Sequence, residues 1–364
     1  MCVDTVLSPP ETVSVLGWPG SARRREEVHV GTNEAMSSDP YALSSLMVGG
    51  PAVDTRRYYG IAGLTLQVES DRPFAATTFS PKFEFFKVDG PGDDTLVIRH
   101  HFGLPRLHAA LLGPCVRGGP PWEIHHAPWG WAYVGIAPGA EGVADRLTVF
   151  NEDHTVARIY NGVDQQAMFQ RGRLASLTLM PTDQVLLARV LADRQGCFLH
   201  SCGVVLDGHG LLFVGESGAG KSTAMDQFAD VSELLCDDRN IVRRWPDGVR
   251  VHGTWSHGSV PIVSAGSAPL RAIFFLRKAG QNEISPVSDT AAAVRGLIPR
   301  LIRPLATRDW WDKTLDLVAA IVREVPCYQL SFDLSGGIVA EVRRLLHGVT
   351  TATTGAGPSA SAGS

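Results

Sequence analysis

Nine residues in the middle of the chain, GESGAGKST at 215–223, have types and spacing that point to one kind of chemistry. The pattern G-x-x-x-x-G-K-[ST] is met with Gly215, Gly220, Lys221 and Ser222 in the required places, while Glu216, Ser217, Gly218 and Ala219 fill the loop between them. Glycines let successive backbone N–H groups turn toward one point and hold phosphate oxygens there. A helix starting at the end of the loop adds partial positive charge. Lys221 would reach the terminal phosphates and the Ser222 hydroxyl would ligate Mg²⁺, with Thr223 beside it in the first turn. The apolar run at 211–214 and the helix-compatible run at 222–229 supply the strand–loop–helix context that the motif needs. The expected ligand is a nucleoside triphosphate, ATP with Mg²⁺.

Asp237 and Asp238 end the short apolar run at 233–236. Carboxylates placed soon after a phosphate loop can hold Mg²⁺, the role expected of Asp237, or take the proton of an attacking hydroxyl. An alcohol is a poor nucleophile until its proton has somewhere to go, so a pair of acids allows the two tasks to separate. His200 is a third candidate, as acid/base or as phosphate contact. The Asp207-Gly208 pair between apolar runs predicts a two-residue hairpin. Its cross-strand partners then carry numbers adding to about 415–417, which puts His200 opposite residues 215–217. His257, in the run GTWSHG at 253–258, is a weaker candidate for an acceptor site.

Other residues invite readings that the pattern does not favour. The pairs His100-His101 and His125-His126 point to opposite faces of a strand, so neither chelates a metal alone. Only a cross-strand combination with His108 would. Trp122, Trp129, Trp131 and Tyr133 read as core. There is no nucleophile elbow of a Ser/His/Asp hydrolase and no G-x-G-x-x-G loop.

The positioning elements follow from the pattern around these residues. Residues 1–51, rich in Ser, Pro and charge, read as a disordered leader, and Met36 or Met47 could be the true start. Residues 52–190 read as a β-rich domain, largely antiparallel, with strands at 64–68, 96–100, 131–136, 147–150 and 157–160. A helix is expected over 181–194, capped at Thr182 or Asp183. Residues 191–347 form the phosphate-loop domain, with helices at 291–298, 309–325 and 338–346. Trp311, Leu315, Val318 and Val322 share the expected inner face of the long one. Residues 348–364 read as a flexible tail. The expected class is mixed α/β.

A net charge of −4 with interspersed signs gives no electrostatic footprint for nucleic acid or an anionic membrane. Six scattered cysteines (Cys2, Cys115, Cys197, Cys202, Cys236, Cys327) without a C-x-x-C pair suit reduced thiols, and no run is long enough to span a membrane. A cytoplasmic protein is expected.

The stretch HSCGVVLDGHGLLFVGESGAGKST followed by LLCDD resembles the catalytic core of HPr kinase/phosphorylases, which share a P-loop fold with the phosphoenolpyruvate carboxykinases. The order of parts carries the likeness: a histidine on the strand before the loop strand, then the loop, then paired aspartates. Weaker likeness runs on to about residue 346 through GTWSHG and PCYQLSF. The resemblance implies a kinase domain, and residues 1 to about 190 draw nothing from it. Residues 215–222 would hold phosphates and Mg²⁺, and His200 with Asp237 or Asp238 would manage the proton of an acceptor serine. Where that family carries a Gly- and Arg-rich signature this chain reads APLRAIFFLRKAG, so neither HPr as substrate, nor phosphorolysis, nor a hexamer is carried over. The expectation is a serine/threonine kinase acting on a protein or peptide, with a homo-oligomer left open. A small-molecule kinase, a carboxykinase-type enzyme and a nucleotide-gated binding module are the alternatives.

Overall fold

A computed structural model describes residues 55–105, 111–118, 122–136, 144–178, 183–304 and 307–354, with side chains up to 347. The chain is a mixed α/β molecule built on two large sheets. Alternating and continuous apolar runs form the first: β1 (Arg56–Ile61), β2 (Leu64–Ser70), β3 (Lys87–Val88), β4 (Thr95–Phe102), β5 (Cys115–Arg117), β6 (Trp122–Ala127), β7 (Gly130–Ile136), β8 (Ala144–Phe150) and β9 (Val156–Asn161). Their spatial order is β3-β1-β2-β4-β9-β8-β7-β6-β5. The flanks are antiparallel as expected, but β2–β4 and β4–β9 are parallel. The sheet's centre is therefore mixed, because the chain crosses over between these strands instead of turning back by hairpins. A helix α1 (Val163–Arg171) follows β9. The leader, residues 1–51, and His108 lie outside the described residues.

The second sheet comprises β10 (Gly196–Leu206), β11 (His209–Val214), β12 (Glu233–Cys236), β13 (Arg239–Trp245), β14 (Gly248–His252), β15 (Ser267–Lys278), β16 (Glu283–Pro286) and β17 (Cys327–Phe332). Two long strands organise it. The first half of β10 pairs with β13, and its second half with β11 and β12. Likewise β15 pairs first with β14, then runs parallel to β11 and β17. The hydrogen-bonded path β11-β10-β13-β14-β15 thus closes on itself through β11–β15.

Five helices accompany this part: α2 (Gln184–Ala192), α3 (Lys221–Asp226), α4 (Thr290–Leu297), α5 (Arg308–Glu324) and α6 (Ile338–Thr354). Helix α3 is shorter than the sequence pattern predicts. After Asp226 the backbone tightens to i→i+3 bonds, with Phe228 N–H donating to Met225 O at 2.9 Å, and this turns Phe228 fully into the core. On α5 the buried face is Trp310, Thr314, Leu317, Val318 and Ile321, with Leu315 exposed, so the expected face is rotated by one residue. Helix α6 runs beyond Leu346 to Thr354, since Gly348 alone does not stop a helix.

The core crosses from one sheet to the other. Leu186, Leu187, Val190 and Leu191 of α2 share a buried cluster with Tyr59, Phe83 and Phe86, and also with Phe198, Ile241 and Trp255 of the second part. Arg194 donates to both oxygens of Asp94 at 2.6 and 2.8 Å, which fixes the start of β10 against the first sheet.

Candidate functional site

The Asp207-Gly208 turn has φ of 50° and 80°, the left-handed pair that a two-residue hairpin requires. Its register, Ser201↔Val214 through Leu206↔His209, puts His200 level with Gly215, where β11 ends and the loop begins. On its other edge β10 places His200 beside Arg239. Asp237 and Asp238 form the bend between β12 and β13, and this bend is held against β10. Ser201 N–H donates to Asp238 O at 2.9 Å, and the buried Asn240 amide donates to Ser201 O at 2.7 Å and Cys236 O at 3.2 Å.

The two aspartates are thereby given different surroundings. Asp238 Oδ1 lies 2.9 Å from His200 Nε2, and Arg239 Nη1 contacts its other oxygen. Burial alone would raise the Asp238 pKa, but the His200 hydrogen bond and the charges of Arg239, His200 and Lys221 bring it below the ordinary carboxylate value. Asp237 is only 2% exposed, and its oxygens accept backbone N–H bonds from Gly258 at 2.8 Å and Val260 at 3.0 Å. It clamps the 253–260 loop. That loop approaches the acids through its backbone, while His257 Nδ1 sits 3.0 Å from Gly258 O.

The phosphate-type loop spans residues 215–220. Gly218 and Gly220 have φ of +77° and +93°, and a Cβ on Gly220 would come within 2.9 Å of the Phe332 ring, so glycine is required there twice over. Lys221 closes the loop, its Nζ donating to Gly215 O at 3.2 Å and Glu216 O at 3.1 Å. Burial lowers the Lys221 pKa, the Arg300 charge adds to that, and Cys202 and Asp238 oppose it. Ser222 is half-buried and Thr223 exposed. Helix α3 is under two turns long, so its dipole adds little positive potential at the loop.

Beside the loop is a concavity of about 530 Å³, bordered by Val214 to Ala219, the end of β15 from Phe275 to Lys278, Arg300 and Gln329. It opens at the C-terminal ends of the parallel strands β11, β15 and β17, where α/β sheets bind ligands. A second hollow, about 560 Å³, lies against α1 alone and brings together no convergent polar groups from separate elements. Arg277, Lys278 and Arg300 escaped the sequence reading. The first two had a signal, since they directly follow the apolar run at 272–276.

His100 is buried, and its Nε2–H donates to Leu177 O at 2.8 Å. His101 stacks on Tyr160, His125 lies 3.2 Å from Gly113 O, and His126 pairs with Glu152. Among the described residues no three His, Cys, Asp or Glu side chains gather to hold a metal. Trp131 and Tyr133 are buried core residues, with Trp122 and Trp129 partly covered. Cys115 is exposed, and Cys197, Cys202, Cys236 and Cys327 are buried. Asp183 does not cap α2 with its side chain. It accepts instead from Leu177 and Thr178 N–H, from the Ser176 and Thr178 hydroxyls, and from Trp255 Nε1 at 2.9 Å. Trp255, packed on Phe83 and Phe86, thus ties the loop clamped by Asp237 to the first sheet. No helix among the described residues is long and apolar enough to cross a membrane.

Residues 173–347, a little under half of the chain, match the family model described as SynChlorMet cassette protein ScmC. No curated protein matches. Among solved structures, the Hpr(Ser) kinase/phosphatase from Coxiella burnetii is similar over 43% of this chain and 96% of its own, at 13% identity and a TM-score of 0.25. The roles of the site residues therefore rest on their own geometry.

Proposed function

We propose that the chain is an ATP-dependent phosphotransferase acting on a hydroxyl, a serine or threonine of a protein or peptide. The observation that carries this reading is the His200–Asp238 contact of 2.9 Å, on the strand next to a glycine-rich loop that Lys221 closes. The loop and Lys221 hold and neutralise the phosphates. The His200–Asp238 pair receives the acceptor's proton as the acceptor oxygen bonds to the γ-phosphorus. The bond from that phosphorus to the β,γ-bridging oxygen breaks, and ADP leaves. Bound Mg²⁺ would offset charge on the phosphates. Nucleotide-bound Mg²⁺ takes few protein ligands, and the half-buried Ser222 hydroxyl fits that demand. Asp237 keeps lone pairs beyond the two N–H groups it accepts, so it too can serve, directly or through water. Four buried thiols suit a reducing compartment, and a cytoplasmic location belongs to the same proposal.

The test is phosphoryl transfer from γ-labelled ATP with Mg²⁺ into a fractionated extract, with Asp238→Asn run alongside. Label in a discrete protein or peptide, absent with the variant, is the expected result. Label only in small molecules would replace the acceptor class with a metabolite, as in a small-molecule kinase or carboxykinase-type enzyme. One observation favours a second reading, a nucleotide-gated binding module. The Trp255 link joins the acid pair's loop to the first sheet, so nucleotide could change what that sheet presents. Tight binding with no label anywhere would favour it.

A further inference from the structure

Arg300 ends the short turn after α4, and the backbone that follows it is fixed to β10. Leu301 forms a bridge with Leu199, next to His200, and Ile302 N–H donates to Phe198 O at 2.7 Å. Leu301 itself is 5% exposed in the core. A rigid base therefore carries the guanidinium, 19% exposed, into the concavity beside the loop. Its carboxylate neighbour is Glu216, at 3.5 Å and 84% exposed. A pair so long and so open contributes little, and it does not account for a cation held this firmly. The concavity also receives Arg277 and Lys278, while Glu216 is the one carboxylate among its lining residues. An excess of cationic side chains beside a glycine-rich loop is the chemistry of a polyphosphate site.

We propose that Arg300 is a phosphate-binding residue of this site, and that Glu216 occupies its guanidinium as an internal stand-in until a polyphosphate replaces it. The proposal rests on the nucleotide reading above and adds to it. Arg300 binds the phosphates directly, and Glu216 competes with them. The two residues, though paired, then affect binding in opposite directions.

The experiment is calorimetric titration of the full chain with MgATP and with pyrophosphate, for the wild type, Lys221→Ala, Arg300→Ala, Arg300→Lys and Glu216→Gln, with melting temperatures recorded alongside. Arg300→Ala should weaken both ligands about tenfold or more, Arg300→Lys should restore part of the loss, and Glu216→Gln should bind both at least as tightly as the wild type. If Arg300→Ala and Glu216→Gln lower the melting temperature alike and leave both affinities unchanged, the pair is structural and the proposal fails. If the wild type binds and Lys221→Ala does not, while Arg300→Ala binds normally, only the Arg300 assignment falls. If the wild type binds neither ligand, the nucleotide reading falls with it.

Discussion

In the part built on the nine-stranded sheet, His100 on β4 and His154 in the β8–β9 turn are 1% and 3% exposed, and burial pushes their pKa values down to about 4 and about 3. Each has a fixed partner, Leu177 O for one and the Tyr133 hydroxyl for the other. In the second sheet the His200 ring is 35% exposed and faces a carboxylate that is itself 18% exposed, with Arg239 beside it. The same residue type thus serves opposite ends. A buried neutral imidazole is held in place and resists its proton, whereas the rim imidazole shared with Asp238 is the one proposed above to pass a proton on. His252, buried in β14 and pushed down to about 4, behaves like the first group although it belongs to the second sheet. Depth, and not the sheet, decides.

The largest effect that would sharpen this contrast comes from Lys221→Ala. Removing the closing cation should lower phosphoryl transfer by roughly 10²–10³-fold or more, and normal turnover would break the functional half of the comparison. Asp238→Asn comes next, with transfer reduced about 10²–10⁴-fold while calorimetric affinity for MgATP stays within a few-fold of wild type. Equal loss of binding and transfer would make Asp238 a structural acid.

The pH dependence of stability separates the two groups more finely. Between the ordinary histidine value and about 4, the unfolded chain binds protons that buried His100 refuses, so stability falls as pH drops through that window. Each such histidine contributes a slope of about 1.4 kcal/mol per pH unit there. His100→Gln keeps a donor for Leu177 O and should flatten the slope of melting temperature against pH between 6 and 4.5. An unchanged slope would mean that His100 is protonated in the fold. Asp238 acts in the same direction but at lower pH. Its depressed pKa gives stabilisation that is complete above the unfolded carboxylate value and is lost as pH falls below it, outside the histidine window. The smallest effect is that of Trp255→Phe, which removes one of the donors to buried Asp183. It should cost about 1–3 kcal/mol in urea unfolding, with Asp238-dependent transfer impaired less than stability.

The parts of the site fixed by short-range rules were legible in the sequence. The Asp-Gly turn sets the register of β10 and β11, so the level of His200 followed from counting, and the glycine spacing gave the loop. Which aspartate meets His200 was not legible, because it depends on the pairing of β10 with β13. Arg300 was out of reach for the same reason, since the Leu199–Leu301 bridge places it. The parallel centre of the first sheet and the rotated face of α5 were missed because periodicity names a face without saying what it packs against. Trp310 is drawn inward by a hydrogen bond from its indole N–H to Ala188 O at 2.9 Å.

The parallel pairing of β11 with β15 also bears on how the molecule assembles. β10 lies on one edge of β11 through an adjacent hairpin, but its other edge stays open until residues 270–275, far along the chain, have been laid down. Closing that edge carries the loop entropy of a long separation and belongs among the slower steps of folding. Anion affinity should thus appear late during refolding, together with hydrogen-exchange protection of the Leu211–Val214 amides and not with that of the hairpin turn. A chain ending before β15 would hold every residue of GESGAGKST and yet have no finished cradle.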